Sequence, residues 1–127
     1  MLRRWLRKPN KAFILRLLNE AEELLSKGDL VQASEKYYKA AEESVKLLVF
    51  ENNLKDIIKT IENRGRWESE DLFKSCKLLR FKNSEILRFW TSAWTLHVEG
   101  FHELSLSEKE IRKLKEDVKR LVSFTIS

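Results

Sequence analysis

Apolar residues recur at steps of three and four along almost the whole chain, and this spacing most constrains the fold. Ile14, Leu17, Leu18, Ala21, Leu24 and Leu25 set the pattern. Side chains three and four apart share one face of a helix, whereas a half-buried strand needs alternation with period two. No segment alternates for long enough to be a strand. Turn formers are scarce: 3 Gly and 1 Pro in 127 residues are too few for a sandwich or a small barrel. The sequence predicts an all-α fold, a single-domain antiparallel bundle of five or six helices over residues 12–127. A basic N-terminal arm over 1–11 precedes it.

Local signals place the helix ends. Gly28 suits a left-handed C-cap, and Asp29 suits the next N-cap, with Gln32 resembling the second half of a capping box. The second helix then carries Leu30, Ala33, Tyr37, Ala40, Ser44 and Leu47 in a heptad-like seam. Its small residues allow a neighbour to approach closely. Asn52 and Asn53 break the pattern before a short helix through Leu54, Ile57, Ile58 and Ile61. A loop at 63–66 follows, and Ser69 is the expected N-cap of a fourth helix through Leu72, Phe73, Cys76 and Leu79. Asn83 and Ser84 open a fifth, with a stripe of Ile86, Trp90, Ala93, Trp94, His97 and Phe101. Ser107 with Glu110 forms a capping box for the last helix.

Charge is unevenly spread. The chain has 25 Lys and Arg against 20 Asp and Glu. Arg3, Arg4, Arg7, Lys8 and Lys11 account for the whole excess, so residues 12–127 are formally neutral. A basic arm attracts nucleic acid or an anionic surface; a solvated terminus is the plainer alternative. Its amphipathic core, Trp5 with Leu2 and Leu6 among the arginines, suits docking on a protein, RNA or lipid. No apolar run approaches the roughly 20 residues of a membrane span, and no apolar stretch of secretory-signal length follows the arm. A cytoplasmic location is expected. One cysteine, Cys76, excludes an internal disulfide and a Cys-based zinc site, and its apolar face marks it as a buried small hydrophobe. Three scattered Gly cannot form a phosphate-cradling loop.

Two blocks carry a family resemblance. One runs from Gly28 through Leu30, Ala33, Tyr37, Tyr38 and Ala40 to Glu42; the other runs from Ala93 and Trp94 through His97, Glu99, Gly100 and Phe101 to Glu103. Together they resemble the archaeal PaREP family of repeated paralogous proteins, which looks related to the HEPN class of helical bundles. The resemblance implies a HEPN-like bundle, often dimeric, in an archaeal cytoplasm. Many HEPN relatives are ribonucleases or toxin–antitoxin partners whose signature is an Arg followed after four to six residues by a His. Here the nearest Arg upstream of His97 is Arg88, with eight residues between. Nine steps of about 100° place the two on opposite faces of an uninterrupted helix. No catalytic residue is carried over.

Several residues are candidates for binding. His97 sits on an apolar stripe, as a core histidine with one hydrogen-bond partner or as a base or nucleotide contact. No acid sits beside it on the same face. Glu99 and His102 are three apart, and with Glu103 they offer too few ligands for a metal site of their own. No metal and no cofactor is therefore assigned. Trp90 and Trp94, with Phe101, form an aromatic ridge suited to the core, to an interface or to base stacking.

The preferred reading is a non-enzymatic bundle acting by self-association or partner binding. Ala33, Tyr37, Ala40, Trp90 and Trp94 are its expected interface and a homodimer its expected state. The alternative is a nucleic-acid-binding or RNA-processing protein that uses Arg3, Arg4, Trp5, Arg7, Lys8 and Lys11. A third is nucleotide binding near His97, His102, Glu99 and Glu103.

Overall fold

A computed structural model describes residues 8–127. Helix α1 (Lys11–Ser26) starts behind Asn10, whose side chain accepts from the Phe13 amide at 2.7 Å. Lys11 therefore belongs to the first helix and not to an arm. Gly28 ends the turn with φ +81°, and the Asp29 amide donates back to the Leu24 carbonyl at 2.9 Å. That bond occupies the amide a capping-box Gln32 would need. Asp29 still caps α2 (Leu30–Glu51) by accepting from the Gln32 amide.

Helix α2 is the central element. It packs on α1 and α6 and along the segment that ends α5. Its buried residues extend round most of its circumference, from Ala33 and Ser34 to Leu48 and Val49. Short side chains at Ala33, Ala40, Ala41 and Ser44 let the neighbours come close. Ile14, Leu17, Ala21 and Leu25 of α1 join them in the main core. Beneath this hairpin, Glu22 collects three donors: Tyr37 Oη at 2.6 Å, Lys115 Nζ at 2.6 Å and Lys119 Nζ at 3.3 Å.

Asn53, at φ +52°, turns the chain into α3 (Lys55–Arg64), which Gly65 ends at φ +88°. Helix α3 packs Ile57 and Ile61 on Val49 in a small second core. Helix α4 (Ser69–Leu78) is capped by Glu68 rather than by Ser69. Glu68 and Asp71 form a reciprocal box, and Asp71 also takes both terminal nitrogens of Arg64. The Asp71 carboxylate accepts from the Glu68 amide at 2.8 Å, and the Asp71 amide donates to the Glu68 backbone carbonyl at 3.0 Å. A 3-10 turn (Leu79–Phe81) leads to α5 (Ile86–Thr95), which begins after Asn83 accepts from the Glu85 amide. The α5 axis continues as a π-helical segment (Leu96–His102). Ser107 and Glu110 form their capping box at the start of α6 (Glu108–Ile126). Among the described residues there is no strand, and no helix is long and apolar enough to cross a membrane.

Candidate functional site

The π segment determines where the two histidines sit. In α geometry, five steps of about 100° would leave His97 and His102 about 140° apart. Here the Glu103 amide donates to the Val98 carbonyl, five residues back, at 2.9 Å. This wider winding returns the fifth residue towards the first. His97 Nε2 and His102 Nε2 lie 3.2 Å apart. Gly100 makes the segment possible against α2, because a β-carbon there would meet Ser34 Oγ at 2.5 Å and Ser34 Cβ at 2.8 Å.

The missing acid for His97 comes from α2. His97 Nδ1 is 2.7 Å from Glu35 Oε1. No acid sits beside His97 on its own helix face; its partner lies 62 positions upstream, on a helix that only packing brings near. The ring also stacks on Tyr38, with centroids 4.1 Å apart and planes at 21°. Trp94 and Phe101 flank it at 5.4 and 6.3 Å. His97 is half-buried, while His102 is exposed. Burial, and then the negative charges of Glu43 and Glu35, raise the Glu42 carboxyl above its ordinary range; Lys46 and His97 oppose them. Burial and the charges of Glu42 and Glu35 push the Tyr38 hydroxyl up as well.

Glu99 and Glu103 are exposed and do not join the pair; the Glu99 carbonyl accepts from the Ser105 amide instead. Arg88 pairs with Glu85 and with Asp117 of α6, while His97 pairs with α2. Among the described residues, no group of three or more His, Cys, Asp or Glu has metal-binding geometry.

The expected interface residues need correction. Ala33, Tyr37, Ala40 and Trp90 are fully buried within one chain. Their partners are the chain's own helices, so four of the five expected residues are unavailable to a second copy. Trp94 alone remains half-buried, against Phe73 and Tyr38. Of the arm, Arg3, Arg4, Trp5 and Arg7 lie outside the described residues; Lys8 is within 3.9 Å of Glu51.

A second surface escaped the charge arithmetic. Residues 72–84 carry Lys74, Lys77, Arg80 and Lys82 and no acid. All four cations are exposed. Lys74, Lys77, Leu78 and Phe81 follow helical spacing along one face. Phe81 is 67% exposed and Leu78 45%, and Lys82 Nζ lies 5.9 Å from the Phe81 ring centre. Leu78 borders a shallow depression lined by Leu54, Lys55 and Asp56. A run without acids inside a neutral body was the available sequence signal.

The fold and these surfaces define a small all-α bundle with a paired-histidine cluster and a basic aromatic face. The chain belongs to the archaeal PaREP1/PaREP8 family, whose model matches residues 11–122. It is similar to a crystal structure of a Sulfolobus solfataricus protein, with 66% identity and a TM-score of 0.85, over 89% of this chain and 92% of that one. A solution structure of the same structural-genomics target is 67% identical, with a TM-score of 0.81, over 89% and 88% of the two chains. No curated protein matches the sequence.

Proposed function

We propose that the chain is a binding protein for single-stranded nucleic acid, engaged through the face of α4 and the following 3-10 turn. The observation that carries this reading is the exposed Phe81 ring among Lys74, Lys77, Arg80 and Lys82. An exposed ring offers a stacking platform for any base, and surrounding cations track the phosphates. These four cations make no ion pair with a carboxylate among the described residues, unlike Lys36, Arg64 or Lys115. The basic residues at 3–8 add charge to the same task.

Fluorescence anisotropy with a labelled single-stranded RNA tests the reading. Each phosphate contact contributes roughly −0.7 to the slope of log affinity against log salt. Four contacts give a slope of about −3. Phe81→Ala weakens binding about fivefold to a hundredfold, the loss of one stacked base, and Lys77→Glu with Arg80→Glu removes most of the rest. No binding at low salt, or binding indifferent to these changes, overturns the reading.

The apolar part of the same face favours a second reading, self-association through Leu78 and Phe81. Analytical ultracentrifugation separates the two. A dimer that Phe81→Asp dissociates, without RNA binding, assigns the face to a second copy.

A further inference from the structure

We propose that His97 and His102 form an open two-histidine site for a borderline transition-metal ion of the Zn²⁺, Ni²⁺ or Cu²⁺ class, with Glu35 as its positioning residue. The chain has 2 histidines, and both Nε2 atoms meet, 3.2 Å apart. Two imidazole nitrogens bound to one tetrahedral Zn²⁺ at 2.0–2.1 Å would stand roughly 3.3 Å apart. The observed nitrogen separation is close to that of two ligands on a shared ion, and a small turn of the exposed His102 ring would aim both lone pairs at it.

Glu35 fixes the tautomer this requires. Its carboxylate accepts from His97 Nδ1, at 2.7 Å, so the lone pair of neutral His97 lies on Nε2, towards His102. A carboxylate behind a ligating imidazole orients the ring and raises its basicity. Tyr38 stacks on the His97 ring, and Trp94 and Phe101 flank it. One ligand is thus fixed before the ion arrives. The other, His102, is exposed and gives the ion a route in from solvent. A single proton can bridge the same two nitrogens, with His102 Nε2–H donating to His97. For both Nε2 lone pairs to face the ion, neutral His102 changes tautomer: that same proton leaves Nε2, and a proton is taken up at Nδ1. Imidazole pairs select Zn²⁺, Cu²⁺ and Ni²⁺ over Mg²⁺ and Ca²⁺, which prefer oxygen. No third protein donor joins the pair among the described residues, so water fills the other positions and the site stays open.

Untagged, chelator-stripped full-length protein titrated calorimetrically with ZnCl₂ and with NiCl₂ provides the test. One ion binds per chain, MgCl₂ gives no heat, and affinity falls at acid pH because protons and metal compete for the same nitrogens. His102→Ala weakens binding at least tenfold and, being at an exposed position, leaves the circular dichroism and melting temperature unchanged. Glu35→Gln weakens it ten- to a hundredfold. In ¹⁵N spectra of the two imidazoles, Zn²⁺ shifts both Nε2 resonances and leaves the His97 Nδ1 proton in place. The absence of Zn²⁺ binding, or binding that His102→Ala leaves intact, overturns the proposal. The pair is then a hydrogen bond that locks the π segment.

Discussion

Gly100 and Ser34 approach so closely that only a hydrogen fits between them: a β-carbon at Gly100 would lie 2.5 Å from Ser34 Oγ. Ser34 cannot retreat, since it is buried and its hydroxyl is bonded to the Leu30 carbonyl at 2.8 Å. Gly100→Ala therefore forces the π segment off α2, with an expected cost of about 1–3 kcal/mol from overpacking. Chemical denaturation measures it. Ser34→Gly in the same chain should recover part of the loss, because the hydroxyl and Cβ are the atoms that clash. Recovery absent, the contact is not the source of the cost.

Glu22 couples stability to acid pH. Burial opposes its ionisation, but the bonds from Lys115, Tyr37 and Lys119 outweigh burial and hold the carboxyl down at about 2, against an ordinary 4.5. A depressed carboxyl stabilises the fold above its unfolded value, and that stability disappears as pH falls from about 4.5 to 2. Glu22→Gln should cost about 2 kcal/mol at neutral pH, since hydrogen bonds to charged groups contribute at this level. The melting temperature should fall by about 8 °C. At pH 2 the variant and the parent should differ far less, and thermal melts at pH 7 and pH 2 supply the comparison.

Cys76 should resist thiol reagents in the native state. It is fully buried, and burial pushes its thiol up to about 12, so the reactive thiolate is scarce at neutral pH. Ellman's reagent should react at the rate of unfolding and at full stoichiometry in denaturant. Rapid labelling of native protein would contradict the burial.

Separating the two proposed surfaces gives a further test. Lys77→Glu with Arg80→Glu should weaken RNA binding sharply and leave Zn²⁺ affinity unchanged, while His102→Ala should weaken Zn²⁺ binding and leave RNA binding unchanged. Parallel anisotropy and calorimetry on both variants decide it; loss of both activities in either variant means the surfaces are coupled.

Short-range features of the fold were legible in the sequence. The Gly28 turn, the Ser107–Glu110 box and the small-residue seam of α2 each depend on residues a few positions apart. What the seam faces was not legible. Ala33 and Ala40 signal close approach by a helix, but spacing is silent on whether that helix is the chain's own. The Glu35–His97 pair was hidden for the same reason, since helix packing joins them. The direct contact of His97 with His102 was hidden by a different cause: an ordinary α-helical period leaves them about 140° apart, whereas the chain winds there as a π-helix. The basic face was lost in a sum, because acids elsewhere cancel Lys74, Lys77, Arg80 and Lys82.

The small second core has a kinetic consequence. Val49, Ile57 and Ile61 hold α3 apart from the main cluster, and the Arg64–Asp71 clamp ties its far end to α4. Segments with few buried apolar partners open at lower free energy than the global transition. Helix α3 is thus a separate cooperative unit, whose amides exchange with solvent deuterium while α2 and α6 stay protected. Arg64, held by Asp71 and by Glu68, gates its opening, so Asp71→Asn should speed exchange across 55–64 ahead of any change in the rest of the chain.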